Sequence, residues 1–192
     1  MKLRPMSMVM LGAAAVASIA LGTLVSPTGG AASSTVAATT PYCGITWGSL
    51  VKSQSATAVS SLVDVRAGRH DCYDRVVLDI RAKADGYRVE YVPEVYHDAS
   101  GELVPLRGGA KLLIVAYAPA YDENTTTYQP ANPSELVDVT GFTTFRQIAW
   151  AGSFEGQSNI GLGVRARLPF RVFTLDGPGT GSRLVIDVAH QW

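Results

Sequence analysis

The stretch "DRVVLDIRAK" sets Arg75 and Asp79 four residues apart, and about a hundred residues later "SRLVIDVAHQW" sets Arg183 and Asp187 at the same spacing, with a valine midway in each copy. Side chains alternate along an extended chain, so each Arg, Val and Asp share one face, and the Arg and Asp stand ~13 Å apart. No ion pair can close over that distance within one strand. Each charge must be satisfied by another strand or by a ligand. Antiparallel pairing with Val77 opposite Val185 would bring Arg75 to Asp187 and Asp79 to Arg183, two reciprocal ion pairs that fix the register. A parallel, in-register arrangement would oppose like charges, and placement in separate sheets would leave each pair to decorate an outer face.

A second concentration of charge is "VRARLPFRVF". Alternation puts Val164, Ala166, Leu168, Phe170 and Val172 on one face, and Arg165, Arg167 and Arg171 on the other. At about 6.8 Å per two residues this predicts a ladder of three guanidinium groups. Guanidinium forks match carboxylates, so the ladder suits an anionic partner. A basic row on a sheet edge also blocks unwanted strand pairing. Pro169 has no N–H for a sheet ladder, which predicts a kink, bulge or edge there.

Catalytic signatures are weak. "GSFEG" places Ser153 one position away from a nucleophile elbow. His70, Asp71, Cys72 and Asp74 crowd together in "GRHDCYD", but neighbours on an extended segment point to opposite sides and no second ligand motif answers them, so no metal site is expected. "GLG" at 161–163 has no helix after it to make a phosphate loop. Glu102 and Glu155 could serve as a glycosidase pair only at a separation that nothing in the sequence fixes. No catalytic residue and no cofactor is assigned. Three Trp and eight Tyr residues keep glycan binding open, because aromatic faces stack on sugar rings.

The ends of the chain give the compartment. Lys2 and Arg4 precede an uncharged run from Met6 to Val25, small residues follow, and no acidic residue appears before Asp64. This predicts a secretory signal over residues 1–32, or an uncleaved anchor, since about 20 apolar residues can span a bilayer core. Cleavage sites follow Ala32 or Ala38, and residues 33–41 read as a flexible linker to a domain at 42–192. Loss of Lys2 and Arg4 leaves 14 of 16 basic residues against 16 acidic ones, about −2 overall, which argues against capture of nucleic acid. The chain is therefore expected to be secreted or held in the cell envelope, with membrane contact only if the first segment stays on. In an oxidising compartment Cys43 and Cys72 form a disulfide by default.

The elements that must position these residues are strands. From Leu62 onward apolar residues alternate with polar ones between Gly, Pro, Asp and Asn punctuation: "DRVVLDI", "GYRVEYV", "FTTFRQIAW", "NIGLGVRARL", "FRVFTLDG" and "RLVIDVAH". "KLLIVAYA" is continuously apolar and suits a strand covered on both faces. "ITWGSLVKS" is compatible with a helical turn. The connection from Tyr121 to Glu135 is long, so it is either mobile or part of a binding rim. With 47% hydrophobic and 17% charged residues in 192, the chain can build one all-β domain, a β-sandwich.

"LPFRVFTLDGPGTGSRLVIDVAH", together with "DRVVLDI", resembles the AMIN family, a non-catalytic module named for its place at the amino-terminal side of cell-wall amidases. From "CGITWGSL" through "VRAGRHDCYDRVVLDI" to "FEGQSNIGLGVRARLPFRVFTL" and the C-terminus, the chain more closely resembles the AMIN-like domain of secreted actinobacterial proteins. The resemblance covers Cys43 to Trp192. It implies a sandwich of two similar sheets with motifs on outer faces, and attachment to peptidoglycan in the envelope. The matching positions are Arg171, Arg183 and Asp187, with Arg75 and Asp79 in the echo. The expectation is a module without an amidase catalytic part, binding a wall polymer without an attached enzyme. Rival expectations are a carrier of a small apolar or lipid ligand in a cavity lined by Val164, Phe170 and Ile186, a module that docks an envelope enzyme, and a hydrolase with a cleft of converging titratable groups.

Overall fold

A computed structural model describes residues 41–192 except Asn124. The expected signal segment, nearly all of the linker and Asn124 lie outside the described residues. A 3-10 turn at Tyr42–Gly44 precedes eleven strands. They are β1 (Lys52–Gln54), β2 (Leu62–Arg69), β3 (Tyr73–Ile80), β4 (Tyr87–Val92), β5 (Val95–Tyr96), β6 (Leu103–Val104), β7 (Ala110–Ala116), β8 (Phe145–Phe154), β9 (Gln157–Val164), β10 (Phe170–Asp176) and β11 (Ser182–Ala189). The protein is all-β, a sandwich of a four-stranded sheet ordered β10-β11-β3-β2 and a five-stranded sheet ordered β1-β4-β7-β9-β8. The short ribbon β5-β6 makes a third sheet.

Period-two alternation explains why these segments close a core. Val76, Leu78 and Ile80 of β3 and Leu184, Ile186 and Val188 of β11 face inward, and they meet Val89, Leu112, Ile114, Ile160 and Leu162 from the opposite sheet. Phe170 and Phe145 are the largest side chains that this layer removes fully from water. Each such side chain contributes ~1.5–3 kcal/mol on burial. A smaller cluster forms on the far side of the five-stranded sheet, where Val95 and Val104 of the ribbon cover Ala149, Ala151 and Leu113. That cover explains the unbroken apolar run of β7: Leu112 and Ile114 serve one layer and Leu113 the other. The ribbon also explains "GLG". A Cβ on Gly161 would stand 2.7 Å from Leu106 Cδ1, and one on Gly163 would stand 2.0 Å from the Arg107 carbonyl oxygen. Both glycines let the chain after β6 lie directly on β9.

Two local expectations change. "ITWGSLVKS" forms no helical turn; the turn lies just before it, where Cys43 and Gly44 take φ of 54° and 67°, and the chain then runs to β1. The connection around 121–135 belongs to a span between β7 and β8 that lies against the sandwich. Tyr128 meets Trp150 at 5.5 Å, Leu136 N–H donates to the Ile148 carbonyl, and Trp150 N–H donates to the Pro133 carbonyl. Leu136 and Val137 touch the core. The span thus covers edge strand β8, whose backbone would otherwise invite pairing.

Candidate functional site

Strands β3 and β11 pair antiparallel with Val77 opposite Val185, Arg75 opposite Asp187 and Asp79 opposite Arg183. β2 and β10 flank them, so three cross-strand rows line the outer face of the four-stranded sheet. One row runs Gly68, Arg75, Asp187, Arg171; the next runs Arg66, Val77, Val185, Phe173; the third runs Asp64, Asp79, Arg183, Leu175. The two copies of the repeated strand are neighbours, and their charges meet across the sheet.

The first row makes a clamp. Arg75 Nε donates to Asp187 Oδ1 at 2.6 Å and its Nη2 to Oδ2 at 2.9 Å, while Arg171 Nε donates to Oδ2 at 2.8 Å. Asp187 has no exposed side-chain surface, against 22% for Arg75 and 30% for Arg171. The hydrogen bond with Asp187 and its negative charge raise the pKa of Arg75 against the opposing effect of burial. Rings enclose the clamp. The Arg171 guanidinium lies 5.5 Å from the Trp47 ring, 5.3 Å from Tyr73 and 5.0 Å from Phe173, and Arg75 lies 5.2 Å from Tyr73 and 5.5 Å from Phe173. Cations over ring faces are held by the ring quadrupole. Asp187 occupies one edge of the Arg171 fork, and its two terminal nitrogens make no hydrogen bond to the described residues.

Trp47 reaches this face from outside the sheet. Cys43 and Cys72 are joined in a disulfide, which ties the segment before β1 to the β2-β3 turn. Trp47 Nε1 donates to the Tyr42 carbonyl, and its ring meets Tyr73 at 6.0 Å. His70 stacks on the other side of the same turn, 4.5 Å from Tyr73. Below the face, fully buried Asp74 anchors the hairpin: its Oδ2 accepts from the N–H groups of Thr144 and Phe145 at 2.5 and 3.0 Å, and its Oδ1 lies 3.2 Å from His190 Nε2.

The second reciprocal pair does not form. Asp79 is taken on both oxygens by Arg66, whose pKa that hydrogen bond raises first, with Asp64 adding attraction. Arg66 sits one pair along the neighbouring strand from Asp79, and this diagonal position is within reach of a long side chain. Arg183 instead donates from Nη2 to the Asp176 carbonyl at 3.0 Å.

The predicted three-arginine ladder is likewise broken. β9 ends at Val164 and β10 starts at Phe170, so Arg165 and Arg167 lie on the crossing between sheets, and only Arg171 belongs to the outer face. Arg165 donates to the His190 carbonyl, and Arg167 lies 4.6 Å from the Tyr91 ring and donates to the Ser49 carbonyl. These two fasten the crossing to its surroundings. Pro169 does precede an edge strand, as its missing donor requires. Trp47, Tyr73, Phe173 and Arg66 complete the site without having been singled out in the sequence. Tyr73 and Phe173 were readable, each two positions from a motif arginine on the same face.

The face therefore offers guanidinium donors and ring faces, a set suited to recognising anionic and cyclic groups. Among the described residues no three His, Cys, Asp or Glu side chains gather as metal ligands. No helix among them is long and apolar enough to cross a membrane. No curated protein and no solved structure matches the chain. All four strands of the face fall within residues 60–190, over which the chain matches the family model for the AMIN-like domain, and the chain accordingly belongs to the AMIN-like domain family.

Proposed function

We propose that this is an exported, non-catalytic domain of the cell envelope that binds peptidoglycan through the outer face of its four-stranded sheet. The observation that carries the reading is the Arg75-Asp187-Arg171 clamp inside its ring of Trp47, Tyr73 and Phe173. A wall polymer supplies carboxylates for the free edge of Arg171 and sugar faces for the rings. Family membership supports an envelope role. Residues 1–32 are the export signal in this reading, 33–41 the linker and 42–192 the binding domain. The disulfide supports it, since such bonds persist in oxidising compartments. Val164, Phe170 and Ile186 stand at zero exposure within one contiguous core cluster, which favours a surface site over a ligand carried between the sheets.

The test is pelleting of the mature domain with purified cell-wall sacculi. Wild type is expected in the pellet, and Arg171→Ala and Trp47→Ala mostly in the supernatant. Arg75 still neutralises Asp187 in the first variant, so its fold is retained. Undiminished retention of both folded variants would move the site elsewhere, and failure of folded wild type to pellet would overturn wall binding.

A further inference from the structure

Next to the clamp the same face holds a groove of about 270 Å³. Its floor is Val77 and Val185, with Arg66 and Gly68 of β2 on one side and Leu175 and Arg183 on the other. Three observations give it a chemistry. Arg183 has lost its cross-strand carboxylate, because Asp79 is held on both oxygens by Arg66. The Nε of Arg183 is buried and has no hydrogen-bond partner, and its one hydrogen bond goes to a backbone carbonyl, which leaves the cation without a counterion within the described residues. A buried polar group without a partner is costly and is normally satisfied by something. Lastly, Gly68 leaves the groove open: a Cβ there would meet nothing within 4 Å.

We infer that this groove is a subsite for a carboxylate carried on a short alkyl group, the free end of a wall stem peptide, with Arg183 as the anion-binding residue and Leu175, beside the packed base of Val77 and Val185, as the seat of the alkyl group. The assignment rests on the wall-binding reading and specifies which part of the polymer is held. Val77 and Val185 are buried as the base of the groove, and Leu175, 37% exposed, supplies its accessible apolar surface. The sheet already shows the preferred chemistry, since each outer arginine with a carboxylate in reach takes it through Nε.

The probe is N-acetyl-D-alanyl-D-alanine, titrated into the domain and followed by amide chemical shifts, beside its C-terminal amide and inorganic phosphate. The free acid is expected to shift the amides of Gly68, Val77 and Val185. Neither the amide nor phosphate should match it. Arg183→Ala should weaken binding roughly tenfold or more, the loss expected of a hydrogen bond to a charged group. Gly68→Trp, which fills the groove where space is open, should abolish binding with the melting temperature kept. Equal binding of acid and amide, shifts confined to other strands, phosphate binding as tightly, or full affinity in folded Gly68→Trp would each overturn the subsite. The subsite is decided by this titration and wall binding by sacculus pelleting, so failure of one is distinguishable from failure of the other.

Discussion

A carboxylate with no exposed surface and two guanidinium groups on its oxygens, as at Asp187, has given up its hydration for three charge-assisted hydrogen bonds. Removal of one partner from a buried pair leaves the other charge desolvated and unpaired, at a cost of about 3–5 kcal/mol. Asp187→Ala is therefore expected to lower unfolding free energy by that amount in urea titration. Asp79→Ala, whose partner Arg66 is 52% exposed, should cost less than about 1 kcal/mol. Similar losses for the two would contradict the difference in burial. The Arg75-Asp187 contact was one of the arrangements open in the sequence: given antiparallel pairing of the two copies, alternation and a midway valine leave one register, but the pairing itself was not fixed. The Arg183-Asp79 contact was equally implied but is displaced, because the competing Arg66 comes from a third strand whose position at the flank no spacing announces.

Among elements, the β2-β3 hairpin and the segment before β1 make one unit through Cys43 and Cys72, 29 residues apart. In the loop-closure description such a link stabilises by ~3.5 kcal/mol. A double Cys43→Ser, Cys72→Ser variant is expected to lose about that much stability. It should keep its sheet circular dichroism and show red-shifted tryptophan emission as Trp47 leaves Tyr73. An unchanged emission spectrum would mean that Trp47 is held by its own contacts. This element explains what the sequence hid. Strands β3, β4, β9, β10 and β11 were readable from period two, whereas the approach of Trp47 depends on a covalent link between segments with no common periodicity. The arginine ladder failed for a related reason: the apolar alternation of "VRARLPF" continues through a crossing in which the chain has already left one sheet for the other.

At the scale of the whole sandwich, two phenols fasten connections to the layers. The Tyr91 hydroxyl donates to the Leu168 carbonyl at 2.6 Å and accepts from the Leu168 N–H at 3.0 Å, binding the crossing segment to β4. Burial pushes its pKa up to about 12, and burial does the same at Tyr128. Between the ordinary value of about 10 and that raised value, the folded state keeps protons that the unfolded chain releases. The stability that these two groups contribute is thus fully present below about pH 10 and is lost as pH rises towards 12. Chemical unfolding measured stepwise across this window should show the decline, with a shallower slope in Tyr91→Phe. Parallel slopes would show that Tyr91 does not contribute. The sandwich class was legible because its cause, alternate residues seeking one interior, is written along strands such as β3 and β4, whereas β7 is apolar from Leu112 to Ala116 and serves two layers. Which strands stand at the edges was less so, since edges depend on the order of assembly.

That order sets a difference in lifetime within the clamp. Arg75 and Asp187 sit on β3 and β11, interior strands bonded on both sides, while Arg171 sits on β10, which has β11 on one side and a single bridge from Gly48 to Phe170 on the other. Edge segments open locally at lower free energy than interior ones. Fraying of β10 releases Arg171 while Arg75 still neutralises Asp187, so one arm of the clamp turns over on the timescale of local opening and the other on that of global unfolding.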